Sequence, residues 1–280
     1  MLGPFGNSFI FNMKNNAPTT RRSPRGKCIY CGSTKYCDND SRVLGDEHVI
    51  AESLGGTLSL RQSACQDCER RINHFEQTIL KTVLYAPRVH LGVRRKRRKR
   101  SEDRIKVQGT VEGKDVEVFL PVRNLPVLLF LLKLGPPGIL VDRPVDLQDM
   151  RGAIVRNLSF DRPPIPPGFT SFSSPIMDTF KFFQFLAKIA HCFAVDCLGD
   201  NFEPSLPDFI RAKEPSPRSD FVGGIPDDLP PSENLHELAL EWRNSRNLAY
   251  AVVKIRLFAN LGMPTYLVVA GKAKNSLPAG

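Results

Sequence analysis

Residues 27–33 read K-C-I-Y-C-G-S, residues 44–57 read L-G-D-E-H-V-I-A-E-S-L-G-G-T, and residues 65–76 read C-Q-D-C-E-R-R-I-N-H-F-E. Each C-x2-C pair lets two thiolates of one tight turn reach one cation. Together Cys28, Cys31, Cys65 and Cys68 complete the tetrahedral sulfur set that suits structural zinc. Gly32 follows the first pair, where backbone must bend around sulfur. The interval between the pairs is long for a simple finger, so something is inserted in the clamp. The insert carries Asp46-Glu47-His48, then the apolar Val49-Ile50 and Gly55-Gly56. A lone histidine is usually structural. An acidic pair before it and a metal clamp around it make His48 a candidate for proton transfer near neutral pH.

The second Cys pair runs into a helix whose apolar face is Ile72, Phe75, Ile79 and Val83. Glu69, Asn73 and Glu76 stand at i, i+4 and i+7 and share a neighbouring polar face. Taken alone, such a face is a solvated helix with local salt bridges.

These motifs resemble the HNH endonuclease family of the four-cysteine type. The resemblance covers about residues 28–76, and through residue 91 it extends to a bacterial subgroup with E-H-x-I, L-G-G-T-L and a later F-E, here Phe75-Glu76. It implies a ββα-metal fold and hydrolysis of DNA phosphodiester bonds around one Mg2+ or Mn2+ ion. His48 would be the general base and Glu47 the first ligand of that ion. Asp46, Asn73 and Glu69 stand as alternatives for further ligands, and the resemblance places Glu47 and Asn73 with His48 in the catalytic set. Three positions depart from the family pattern. Ala51 stands where the family has proline, Glu69 where an asparagine usually follows the last cysteine, and no asparagine lies between His48 and Cys65. A zinc-dependent DNA-binding protein without cleavage is therefore the alternative expectation, followed by an RNA-directed or toxin-like nuclease.

Charge supports a nucleic-acid partner. The chain of 280 residues has a net charge of +10, and residues 1–104 hold 20 of its 39 Lys and Arg but only 10 of its 29 Asp and Glu. The excess therefore sits beside the cysteine pairs, and nucleic acid is the polyanion to match it. Arg70 and Arg71 are candidate phosphate contacts. Arg94, Arg95, Lys96, Arg97, Arg98, Lys99 and Arg100 form an unbroken cationic run, read either as a solvated linker or as an arm that releases counterions from DNA. A nuclear localisation signal would look alike.

The expected organisation is α+β. A flexible tail (1–27), a zinc module (28–91) and a basic linker (92–104) precede a larger α+β domain (105–280), whose role is open and which could seat a protein partner or a second copy. In that domain residues 105–111 and 115–120 alternate as a hairpin about Glu112-Gly113-Lys114. Residues 127–134 are a buried apolar run, and residues 238–242, 248–258 and 266–270 read as antiparallel strands. The clearest helix spans about 175–198 with Phe182, Phe185, Ile189, Phe193 and Cys197 at helical spacing, and Gly199 stops it. His191, Cys192 and Cys197 read there as packing residues rather than ligands. Lys188-Ile189-Ala190-His191 and Leu198-Gly199 are similar to the C-terminal half of the same bacterial subgroup. An odd count of seven cysteines without a secretory leader points to reduced thiols in the cytoplasm, and no apolar run is long enough to span a membrane.

Overall fold

The computed structural model describes residues 9–15, 17–38, 41–93, 104–141, 150–159, 168–173, 177–214 and 220–274. The cationic run 94–100 lies outside the described residues.

The first part contains β1 (Phe9–Met13), β2 (Thr20–Arg21), β3 (Gly45–His48), β4 (Leu58–Ala64), α1 (Gln66–Lys81) and α2 (Tyr85–His90). The second contains β5 (Arg104–Val111), β6 (Lys114–Pro121), β7 (Leu128–Leu134), β8 (Met150–Asn157), β9 (Ser171–Ser173) and α3 (Thr179–Leu198). It continues with β10 (Phe202–Pro204), α4 (Pro207–Arg211), β11 (Val222–Gly224), β12 (His236–Ser245), β13 (Leu248–Leu257) and β14 (Thr265–Ala273). The class is α+β, as the patterning predicts.

The largest sheet runs β1-β12-β13-β14-β10, with β11 also on β14, and every pairing in it is antiparallel. The β12–β13 hairpin turns on Arg246 and Asn247, both at positive φ (50° and 60°). That backbone matches the right-handed twist of the flanking strands. On β13, Ala251, Val253 and Ile255 face the main core, while Tyr250 and Val252 pack on the other face with Leu267 and Val269. Burial on both faces explains why the strand reads as a nearly continuous apolar run.

The N-terminal segment departs from the expected flexible tail. Residues 9–13 form β1, which pairs in register with β12 from Phe9↔Leu240 to Met13↔His236. Burial alternates along Phe9–Asn12, but the strand's partner lies more than two hundred residues away, and local pattern cannot name a partner at that distance.

Helix α3 begins at Asp178, whose carboxylate accepts from the Lys181 backbone N–H at 3.0 Å. It stops at Gly199, with φ of 60°. Residues 182–195 are all buried, so the helix is the central pillar rather than a surface element. Phe182 meets Tyr266 edge to face on the sheet side. One hydrophobic cluster joins Leu60, Ile72 and Phe75 of the first part to α3, Leu238 and Ile255 of the second. The two parts therefore share a core.

His236 also ties them. Its Nε2 donates to the Leu54 carbonyl at 2.7 Å, and its Nδ1 accepts from the Phe258 N–H at 3.1 Å. Only the neutral ring satisfies both bonds, and burial lowers its pKa to about 4. Unfolded, the same ring titrates near 6.5. The unfolded chain thus binds the extra proton first. The stabilising contribution is complete above about pH 6.5, declines as pH falls from there towards 4, and is on the order of 3 kcal/mol at most. Chemical denaturation at about pH 7 and pH 5, with zinc content monitored, should show the lower midpoint in acid, and equal midpoints would contradict the assignment.

Candidate functional site

The zinc clamp is assembled as the spacing requires. The Cys28 N–H bonds to the Ser33 carbonyl at 2.7 Å, and the Gly32 N–H to the Cys28 carbonyl at 2.8 Å. Gly32 takes φ of 77°, which closes the turn around both sulfurs. Cys65 caps the N-terminus of α1 and Cys68 lies in its first turn, where the helix dipole favours thiolates. The four Sγ atoms all lie within 4.8 Å of one another. A tetrahedral site with Zn–S near 2.3 Å has sulfur–sulfur edges of about 3.8 Å, so the donor set and its span fit zinc. Bonding with Cys68 holds the Cys28 thiol down to about 4 and pushes Cys68 up. Sulfurs packed this closely share protons unless a dication takes their place. His191, Cys192 and Cys197 are not part of the cluster. His191 donates to the Ile29 carbonyl at 2.8 Å, and Cys192 meets the Tyr30 hydroxyl at 3.1 Å, so α3 braces the knuckle from behind.

Strand β3 pairs antiparallel with β4, Glu47 opposite Leu60 and His48 opposite Ser59, with a bulge between Gly45 and Glu47. Asp46 accepts from the Gln62 N–H at 3.0 Å, beside Gln62 at φ of 49°. Its carboxylate thus supports the bulge that re-aims the strand. After His48 the chain turns through Gly55 and Gly56. A Cβ on Gly56 would stand 1.8 Å from the Ile50 carbonyl oxygen, so no other residue fits there.

A cavity of about 560 Å³ opens between β3 and α1. His48 and Glu47 line it from the strand, and Glu69, Asn73 and Glu76 from the shared polar face of the helix. The predicted positions Asp46, Glu47, His48, Glu69 and Asn73 therefore meet in one pocket, and Glu76 joins them. Asn73 is exposed. Glu69 accepts from the Tyr36 hydroxyl at 3.0 Å. Glu52, which the motif reading does not single out, places its carboxylate 3.9 Å from His48 Nε2. It sits four residues beyond the histidine, past the end of β3. Arg88 also lines the cavity and donates to the Ser53 carbonyl at 3.3 Å.

Glu47 is placed differently from a free ligand. It is 7 % exposed and bonded to Lys188 of α3. Burial raises its pKa against the pull of that ammonium. The acid that the motif names first thus has one oxygen already engaged.

Arg70 and Arg71 leave the same helix in another direction. They line a second cavity of about 550 Å³ with Lys181, Arg211 and Lys213. Arg70 pairs with Asp67 at 3.2 Å, and Arg71 donates to the Arg211 carbonyl at 3.2 Å.

Residues 28–82 match the family model of the HNH endonucleases. The matched segment begins at the first clamp cysteine and ends just past α1, about a fifth of the chain. It contains the whole clamp and every acidic, amide and imidazole residue that lines the first cavity. No curated protein and no solved structure matches the chain. The HNH module suggests a nuclease with a nucleic-acid substrate, and its four cysteines are positioned for a metal. Lys188, which reaches into it, lies outside the matched segment. No helix among the described residues is long and apolar enough to cross a membrane.

Proposed function

We propose that the protein is a metal-dependent endonuclease that hydrolyses phosphodiester bonds of DNA. The observation that carries this reading is the convergence of His48 with Glu47, Glu52, Glu69 and Asn73 in one open cavity, inside the segment of HNH type. Neutral His48 takes the proton of a water molecule as its oxygen attacks phosphorus. The P–O bond to the departing sugar oxygen breaks as that oxygen takes a proton from solvent, leaving one new phosphate end and one hydroxyl end.

The acids of the cavity suit a hard cation by donor chemistry. Among the described residues, however, only the cysteine quartet brings three or more Cys, His, Asp or Glu ligand atoms within 4.8 Å. Magnesium is commonly held by one or two carboxylates plus water and substrate phosphate, so this sparse set is adequate. Glu47 would hold it, helped by Asn73, Glu69 or Glu52, and the bound ion would stabilise charge on the scissile phosphate. A plasmid nicking assay tests the reading: relaxed product should form with Mg2+ or Mn2+ and not with EDTA.

One observation favours a second reading. The Lys188 contact to Glu47 also suits a silent module that binds DNA without cutting it. Retention of plasmid without nicking in either metal would select that reading.

In both readings the basic side of α1 carries phosphate. Arg71 has a structural bond, whereas Arg70 and Lys213 are exposed. Replacing both of the latter with glutamine should weaken duplex binding at every sequence and reduce the log–log salt slope by about two. A slope equal to that of the wild type would remove this face from the interface.

A further inference from the structure

The Lys188 ammonium is fully buried, 2.8 Å from Glu47 Oε1 and 2.9 Å from Glu76 Oε1, and it also donates to the His48 carbonyl oxygen. These partners come from β3 and α1, the two elements that wall the candidate catalytic cavity, and both glutamates line it. The lysine comes from the middle of the fully buried stretch of α3, residues 182–195. An isolated buried ammonium costs several kcal/mol, and two buried carboxylates without a cation repel. The three groups are therefore interdependent. Burial opposes the lysine's charge, but the two glutamates more than offset it and hold its pKa above the ordinary range. Carboxylates that ligate metals are themselves oriented by outer hydrogen bonds, and losing such a partner typically weakens metal binding.

We propose that Lys188 is a positioning residue for the nuclease site, fixing the Glu47 and Glu76 carboxylates and the backbone of His48 so that the cavity can take a divalent cation. The inference rests on the endonuclease reading and extends it. The site is completed by a helix outside the HNH segment, so the C-terminal half is part of the catalytic apparatus rather than an appended domain.

The test uses the full-length, zinc-loaded chain with Mn2+ as the probe, counting free ion by electron paramagnetic resonance. Lys188→Met retains length without charge. Because it strands two buried acids and can fail to fold, Lys188→Met in a Glu76→Gln background is compared with Glu76→Gln alone. Zinc content and thermal midpoint confirm folding in each. The folded lysine variant should bind Mn2+ about 10- to 100-fold more weakly than its parent. Nicking should recover towards the parental rate at saturating Mn2+, a split that a purely structural defect does not produce. Unchanged affinity would make Lys188 a packing residue only, and tighter affinity would make it a competitor of the metal; either result overturns the proposal. If the wild type binds no Mn2+, the endonuclease reading falls and this inference with it. If it binds Mn2+ without nicking, the endonuclease reading fails alone, and the affinity comparison still decides the role of Lys188.

Discussion

Replacing His48 with alanine is expected to lower plasmid nicking by about 10²- to 10⁴-fold while leaving duplex binding and zinc content intact. The size follows from what the imidazole supplies. Water is a poor nucleophile until a base takes its proton, and His48 is the one imidazole that lines the cavity, the side-chain type suited to that transfer near neutral pH. Its side chain is 26 % exposed, and its Nε2 faces Glu52 at 3.9 Å. Truncation therefore removes chemistry without opening a large hole in the core. The backbone of β3 is held independently, by pairing of residue 48 with Ser59 and by Lys188 at its carbonyl. Glu52→Gln should give a smaller loss than His48→Ala if the carboxylate orients the ring. Wild-type nicking retained by the His48 variant would exclude the histidine from the reaction.

The cysteine cluster and the residues that line the first cavity were legible because their information is local. Thiolate spacing, the acidic pair before His48 and the i, i+4, i+7 face of α1 each fit within one or two turns of chain. The β5–β6 and β12–β13 hairpins were legible for the same reason. What was hidden is long-range. Nothing in residues 9–13 names β12 as their partner, and nothing near Glu47 announces an ammonium contributed 141 residues later. A sign of it was present all the same. Lys188 is the one lysine within the buried stretch of α3, and a charge there requires partners. Arg70 and Arg71 are candidate phosphate contacts by their place beside the second cysteine pair. Helical geometry turns them away from Asn73 and into a different cavity.

Cys65→Ser, or zinc removal by a chelator, should unfold the HNH module and abolish both nicking and tight DNA binding. Cys65 is at once a sulfur donor and the N-cap of α1, with the Gln66 N–H bonded to the Tyr36 carbonyl at 2.8 Å. Losing the ion releases four close sulfurs and with them the start of the helix that carries Glu69, Asn73 and Glu76. Structural zinc supplies about 10–16 kcal/mol to small fingers that have little other core. Here α3 and the shared hydrophobic cluster hold part of the module independently, so a loss of roughly 5 kcal/mol is the expected scale. For a chain of this size that lowers the thermal midpoint by about 10–20 °C. Cys37, outside the quartet, provides the control: Cys37→Ser should keep one zinc per chain and the wild-type midpoint. Metal analysis that finds equal zinc in the Cys65 and Cys37 variants would dismantle the clamp, and with it the account of how His48 is held against α1.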